Sequence, residues 1–364
     1  MRGFLAGEHR SAHAATQGAV PPLGPPGASG ARREVREELE AATLAPGASR
    51  GLGGGKRARP EDADEWRTCF ERDRDRILHS TAFRRLAGKT QVFVFPEDHQ
   101  RTRLTHALEV AQVAGSIARA CRLNVALSEA IALGHDCGHG PGGHACEEAL
   151  DPYLPGGFDH APFGADVSLA PLNLCRETLD GVRNHSWSRP APATVEGEVV
   201  SWADRIAYVC HDWEDAVAAG VVDPSMLPEV VAERCGTRRS AQLGAFVGAL
   251  SRTILSAGRV AMDLEMAEAL AEFRERCYER VYLREASVAQ GHAVIAVLRA
   301  LAEHYADHPY TIPAVREAAG LLGGETAAVE AAVSYVAGMT DRYAFRQAVA
   351  LLDWDPAKLP HGIA

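Results

Sequence analysis

The sequence predicts an all-α fold with one minor extended segment near residues 90–95. Three observations carry that prediction. Apolar residues recur at spacings of three and four through most of the chain after residue 60. Strand patterns do not alternate with helical ones, and neither standard glycine-rich phosphate loop occurs. The one convincing extended piece is Thr90-Gln-Val-Phe-Val-Phe95, stopped by Pro96.

Residues 1–60 differ from all that follows. Ala19–Gly27 and Gly51–Gly55 have a loop-former's composition, and only Arg32–Ala42 between them reads as a charged helical piece. A disordered Pro/Gly/Ala-rich tail is expected there. A transit peptide is the weaker reading, because Glu34, Glu37, Glu38 and Glu40 place acid where such peptides avoid it. From residue 61 to residue 364 one helical domain is expected. Within it Arg103–Cys121 sets Val110, Val113 and Ile117 on one stripe. Similar stripes run through Val195–Ala219, Arg239–Ser256, Met262–Arg284, Ser287–Ala306 and Thr326–Leu352.

Composition narrows the function. With 46% hydrophobic residues the 364-residue chain can bury a large core, as one large or two small domains. No internal repeat divides it, which favours one. A formal charge of −10 and a pI near 5.8 do not suit a protein dedicated to coating nucleic acid. Cys69, Cys121, Cys137, Cys146, Cys175, Cys210, Cys235 and Cys277 form no Cys-x-x-Cys pair, so packed, reduced thiols are expected. No apolar run is long enough to span a bilayer, and Met1–Gly7 is too short in its apolar stretch for a secretory signal. A cytoplasmic location, away from the membrane, is the expectation.

Four residues concentrate the chemistry. His106 shares the inward stripe of Val110, Val113 and Ile117. His135–Asp136 ends the buried run Glu129-Ala-Ile-Ala-Leu-Gly134 and opens into a glycine-rich turn. Asp204 interrupts an apolar face formed by Val199, Val200, Ala203 and Ala207. A buried carboxylate without a partner is costly. Two neutral imidazoles and two carboxylates converging on one divalent cation remove that cost together. Such a mixed nitrogen and oxygen set suits Mn2+, Mg2+, Fe2+ or Zn2+. For His106 alone a hydrogen-bonded core histidine is the plainer reading. The second cluster, His139, His144 and Glu147, tips the balance toward a site.

These positions resemble the H…HD…D pattern of the HD superfamily, and the chain more narrowly resembles the deoxyguanosine triphosphate triphosphohydrolase family. The matching pieces are Arg72-Asp-Arg-Asp-Arg-Ile-Leu-His-Ser-Thr-Ala-Phe-Arg-Arg-Leu86, Lys89-Thr-Gln-Val-Phe93 and Arg101-Thr-Arg-Leu-Thr-His-Ala-Leu-Glu-Val-Ala111. Glu129-Ala-Ile-Ala-Leu-Gly-His-Asp136, Ala203-Asp-Arg-Ile-Ala-Tyr208 and Gly338-Met-Thr-Asp-Arg-Tyr343 complete them. The resemblance implies an HD-domain helical fold that splits a dNTP into a deoxynucleoside and inorganic triphosphate.

On this resemblance His106, His135, Asp136 and Asp204 hold the metal. His144 and Glu147 form a catalytic pair, with Glu147 fixing the tautomer of His144. His139 and His160 face the phosphate or the leaving group, a surface loop being the alternative for His160. Arg103 and Arg205 meet the phosphates, a structural salt bridge being the alternative for Arg205. The segment Lys56–Arg103 carries 12 Lys/Arg against 9 Asp/Glu, a cationic patch in an acidic protein. Tyr208 packs on the deoxyribose, and Asp212 binds its 3′-hydroxyl unless it is an exposed helix carboxylate. Phe158-Asp-His-Ala-Pro-Phe163 departs from the family's usual Glu-His-Asn-x-Gln, and Gly142 stands where many members carry Phe. The base preference is therefore open. Relatives also suggest a homo-oligomer with an allosteric nucleotide at subunit interfaces. Two rival readings remain: another HD-type phosphodiesterase or monophosphatase, and a nucleotide-sensing or single-stranded-DNA-binding regulator.

Overall fold

The computed structural model describes residues 2–6, 9–13, 31–97, 99–316 and 322–361. Two strands, β1 (Arg2–Ala6) and β2 (His9–His13), pair antiparallel at the N-terminus. The other elements among the described residues are helices. The first half holds α1 (Arg33–Thr43), α2 (Cys69–Leu78), α3 (Thr81–Arg85), α4 (Arg103–Ala120), α5 (Val125–Gly134), α6 (His144–Leu150), α7 (His160–Phe163) and α8 (Arg176–Arg183). The second half holds α9 (Val195–Ala218), α10 (Glu229–Cys235), α11 (Arg239–Ala257), α12 (Leu264–Cys277), α13 (Glu285–Asp307), α14 (Pro313–Arg316), α15 (Thr326–Ala337) and α16 (Asp341–Leu352). Among the described residues no helix is long and apolar enough to cross a membrane.

Helix α5 sits at the centre because it is apolar on nearly every side. Its Leu127, Ala130, Ile131, Ala132 and Leu133 are all buried, and α2, α4, α8 and α9 pack around it. Asn124 starts it, accepting the Leu127 N–H at 3.1 Å. Helix α4 lays Ala107, Val110, Ala114 and Ile117 against it, as the stripe requires. Helix α9 closes the third side, with Val199, Val200, Ala203 and Ala207 inward. A second apolar cluster, from α6, α13, α15 and α16, forms the opposite wall of the site.

Three expectations need correction. The packed body begins near residue 33 and not at 61. Buried Glu196 of α9 accepts from the Ser49 backbone and hydroxyl at 3.0 and 2.8 Å and from Asn124 N at 2.9 Å. Arg57 pairs with Asp73 at 2.6 Å with both side chains buried. Polar partners such as these order a segment whose composition alone reads as loop. The stretch 14–30, which holds four of the six prolines in residues 1–60, lies outside the described residues. Second, Thr90–Phe95 makes one antiparallel bridge, Thr90 to Thr102, and otherwise bends. Asp341 draws it inward by accepting from Thr90 N and Oγ1 at 2.9 and 2.6 Å. Third, the stripe Thr326–Leu352 is two helices, broken at Gly338–Thr340, where the buried Lys89 ammonium donates to Ala337 O at 3.0 Å.

Candidate metal centre and active site

Three helices deliver the four expected ligands to one place. His106 lies on the first turn of α4, His135–Asp136 directly after α5, and Asp204 midway along α9. His106 Nε2 stands 3.0 Å from Asp204 Oδ1. His135 Nε2 stands 3.6 Å from the same oxygen and 3.4 Å from Asp136 Oδ1. The His135 Nδ1–H donates to Ala132 O at 2.6 Å, which fixes the tautomer and aims the Nε2 lone pair into the cluster. That Nε2 is buried and has no hydrogen-bond partner. An acceptor nitrogen in such a position, facing two carboxylate oxygens, is what a divalent cation satisfies. The residues therefore fit the metal.

Arg103 backs this cluster, donating through Nη1 to Asp136 Oδ2 at 2.8 Å, with both side chains buried. Burial alone would raise the Asp136 pKa, but Arg103 and then His135 hold it well below the usual carboxylate range. Oδ1 is left to face His135 and, at 3.2 Å, His139 Nε2. Two glycines let the turn close so tightly. A Cβ on Gly138 would lie 1.9 Å from His160 O, and one on Gly143, already at φ +64°, would lie 2.8 Å from Arg103 Nη2.

The neighbouring histidines do not pair as the sequence suggests. His144 and Glu147 share a face of α6, with ligand atoms within 4.8 Å, yet Glu147 bonds to a different imidazole. Its Oε1 accepts from His160 Nδ1, in a very short contact, and from His160 N at 3.4 Å. The reason is tertiary: the loop before α7 sets His160 over Glu147, while His144 turns toward the open cavity. His160 stacks on His139 with ring centroids 3.6 Å apart and meets His185 Nε2 through its own Nε2 at 3.2 Å. His185 Nδ1–H donates to Val182 O at 2.8 Å, so its Nε2 is the acceptor. Both nitrogens of His160 then carry protons. Burial lowers the His160 pKa, but the Glu147 bond outweighs it and raises the value. His139 is driven the other way by burial and then by Arg103, well below its ordinary value.

All twelve expected residues gather around one cavity of about 1020 Å³. His135 and Glu147 stand behind its wall and the other ten line it. That size suits a nucleotide-scale ligand. His160 is buried, so the surface-loop alternative fails. Arg205 has no carboxylate within 4.0 Å among the described residues, so the salt-bridge alternative fails as well. Asp212 is buried, not exposed; Tyr282 OH donates to its Oδ2 at 2.5 Å and its Oδ1 has no partner. Burial pushes the Asp212 carboxyl up to about 7 despite the Tyr282 bond. The Tyr208 hydroxyl accepts from Arg274 Nε at 2.9 Å.

Sequence reasoning missed several lining residues. His185 follows a short helix and belongs to no periodic stripe, so no signal marked it. Gln91, within Lys89–Phe93, lines the cavity and has a buried Oε1 without a partner. Arg274, Tyr278 and Tyr282 are spaced by four along one helical face, which was the available signal.

Comparisons with known proteins agree with this geometry. A family model described as HD domain matches residues 103–209, the span that carries His106, His135, Asp136 and Asp204. One described as phosphohydrolase-associated domain matches residues 260–349, which contribute Arg274 and Tyr282. A deoxyguanosinetriphosphate triphosphohydrolase-like protein of Caldanaerobacter subterraneus is 42% identical, covering 86% of this chain and 93% of that protein. Proteins of the same description from Clostridium perfringens and Clostridium tetani are 39% and 35% identical, covering 79% and 85% of this chain and 87% and 93% of theirs. On relatedness over nearly the whole length of these proteins, the chain belongs to the deoxyguanosinetriphosphate triphosphohydrolase-like family of metal-dependent HD-domain phosphohydrolases.

Proposed function

We propose that the protein hydrolyses deoxynucleoside triphosphates to a deoxynucleoside and inorganic triphosphate, with one divalent cation held by His106, His135, Asp136 and Asp204. One observation carries the reading: the ligand cluster shares a single nucleotide-sized cavity with two arginines, Arg205 and Arg274, that no described carboxylate neutralises. Bound there, Mn2+ or Mg2+ would polarise a phosphoryl oxygen and acidify water. Arg103, Arg205 and Arg274 line the same space and supply the positive charge that a triphosphate needs.

Hydrolysis forms a bond from water oxygen to the α-phosphorus and breaks the bond to the 5′-oxygen. Water gives up a proton and the 5′-oxygen gains one. His144 faces the cavity, and crowding by its walls and then the Arg103 charge lower its pKa, so it rests neutral near pH 7. A neutral imidazole there can take the proton from water and return it to the departing oxygen. His160 keeps its charge against Glu147, and its stack holds His139 in place beside Asp136. Asp212 Oδ1 and Gln91 Oε1 are buried acceptors without partners on residues that line the cavity, suited to a sugar hydroxyl, and Tyr208 offers a ring to the deoxyribose.

Incubation with each dNTP and Mn2+ or Mg2+, followed by chromatography, tests this. Equimolar deoxynucleoside and triphosphate are expected. Release of pyrophosphate or orthophosphate in their place would reject the reaction.

A further inference from the structure

We infer that Trp187 is a positioning residue for the triphosphate, an arene platform that holds Arg205 toward the cavity while leaving its N–H donors free. The inference rests on the triphosphate reading above. The Arg205 guanidinium carbon lies 3.6 Å from the centroid of the Trp187 ring, within close stacking range. Trp187 is itself set edge-to-face against Trp202, with centroids 4.9 Å apart at 73°. Trp202 and Arg205 both belong to α9, so the loop bearing Trp187 folds back onto the helix that carries Asp204.

Chemistry explains why a ring stands here and not an acid. A carboxylate would fix the guanidinium by occupying two donors and cancelling its charge. A ring face fixes it without using any donor, because all five N–H groups lie in the guanidinium plane. Arg205 Nε is buried with no partner among the described residues, and a second cation lining the same cavity, Arg274, is also held by arenes. The Arg274 guanidinium lies 4.6 Å from the Tyr278 ring and donates to the Tyr208 hydroxyl. Two adjacent cations without described acidic partners repel each other until an anion joins them. Trp187 remains 49% exposed at the cavity rim, more than a tryptophan kept only for packing would be.

The test uses calorimetric titration of inorganic triphosphate, and separately of a dNTP, at fixed Mg2+. The proteins are the wild type, Trp187→Phe, Trp187→Leu, Arg205→Met and the double variant Trp187→Leu/Arg205→Met. Leucine keeps an apolar side chain but removes the π face, and phenylalanine restores it. Trp187→Leu should weaken binding of inorganic triphosphate by roughly 3- to 30-fold, and Trp187→Phe should recover most of the loss. In the Arg205→Met background the tryptophan change should add almost nothing. Turnover should show a raised KM with a smaller change in kcat. Unchanged triphosphate binding in Trp187→Leu would overturn the inference, as would an equal loss with and without Arg205. Loss of dNTP binding alone would overturn it too, because the ring would then serve the base. Trp187-dependent triphosphate binding in a protein that releases no deoxynucleoside would leave the inference standing and remove the proposed reaction.

Discussion

Replacing Arg103 by methionine isolates the electrostatics of the centre. The side chain is buried and its guanidinium meets the equally buried Asp136 at 2.8 Å. Methionine keeps most of the apolar stem and removes the charge, leaving Asp136 buried without its cation. Breaking a buried pair from one side costs about 3–5 kcal/mol. For a domain of this size each kcal/mol moves the melting temperature by about 2 °C, so a fall of roughly 6–10 °C is expected in metal-free protein. A divalent cation would supply the lost compensation, because Asp136 also belongs to the proposed ligand set. Saturating Mn2+ should therefore raise the melting temperature of the variant more than that of the wild type. The pH dependence has a definite sign. In the wild type Asp136 is held below its ordinary value, so its stabilisation is present above about pH 4 and is lost as pH falls through the folded-state pKa. The variant lacks that stabilisation, so its deficit should hold level down to about pH 4 and narrow only below it. Calorimetric melts at pH 7.5 and pH 3, with and without Mn2+, measure all of this. Equal metal-induced shifts in the two proteins would refute the reasoning.

Asp212→Asn should stabilise the protein more at pH 8 than at pH 5. A carboxyl raised by burial to about 7 binds its proton more tightly when folded, so its ionisation costs stability as pH rises above the unfolded value. The full cost is on the order of 4 kcal/mol; a pH-independent effect in thermal melts would contradict it. Asp73→Ala should lower stability by about 3–5 kcal/mol, because it strands the buried Arg57 charge and the Cys175 N–H and Thr178 hydroxyl bonded to the same carboxylate. Denaturant melts check that, and a change below 1 kcal/mol would detach residues 33–60 from the packed body. Gly138→Ala should displace His160, whose carbonyl a new Cβ would strike at 1.9 Å. At least tenfold loss of activity is expected, about 1.4 kcal/mol, and a fully active variant would show that the stacked histidines are dispensable.

The convergence of the four proposed ligands was legible because helical periodicity reports which face is buried, and a titratable residue on a buried face demands a partner. His106 and Asp204 each interrupt an apolar stripe, and His135–Asp136 ends a helix that is apolar and buried over most of its length. Periodicity stops informing where a side chain is carried by a loop. The partner of Glu147 was read as His144, its neighbour on α6, whereas a four-residue helix brings His160 to it. His185 and Trp187 arrive on the connection between α8 and α9, and nothing local distinguishes them from solvent-facing residues. The N-terminal boundary failed for a related reason. Loop-like composition in residues 44–60 says nothing about Glu196, far along the chain, which orders Ser49 through two hydrogen bonds.

Metal stoichiometry tests the central geometry most directly. Protein stripped with chelator, reloaded with Mn2+ and freed of excess ion should carry one ion per chain by plasma mass spectrometry. His135→Ala and Asp204→Ala, still folded by circular dichroism, should each carry far less, though their mutated residues come from different helical segments. Either variant retaining a full equivalent would contradict a shared centre.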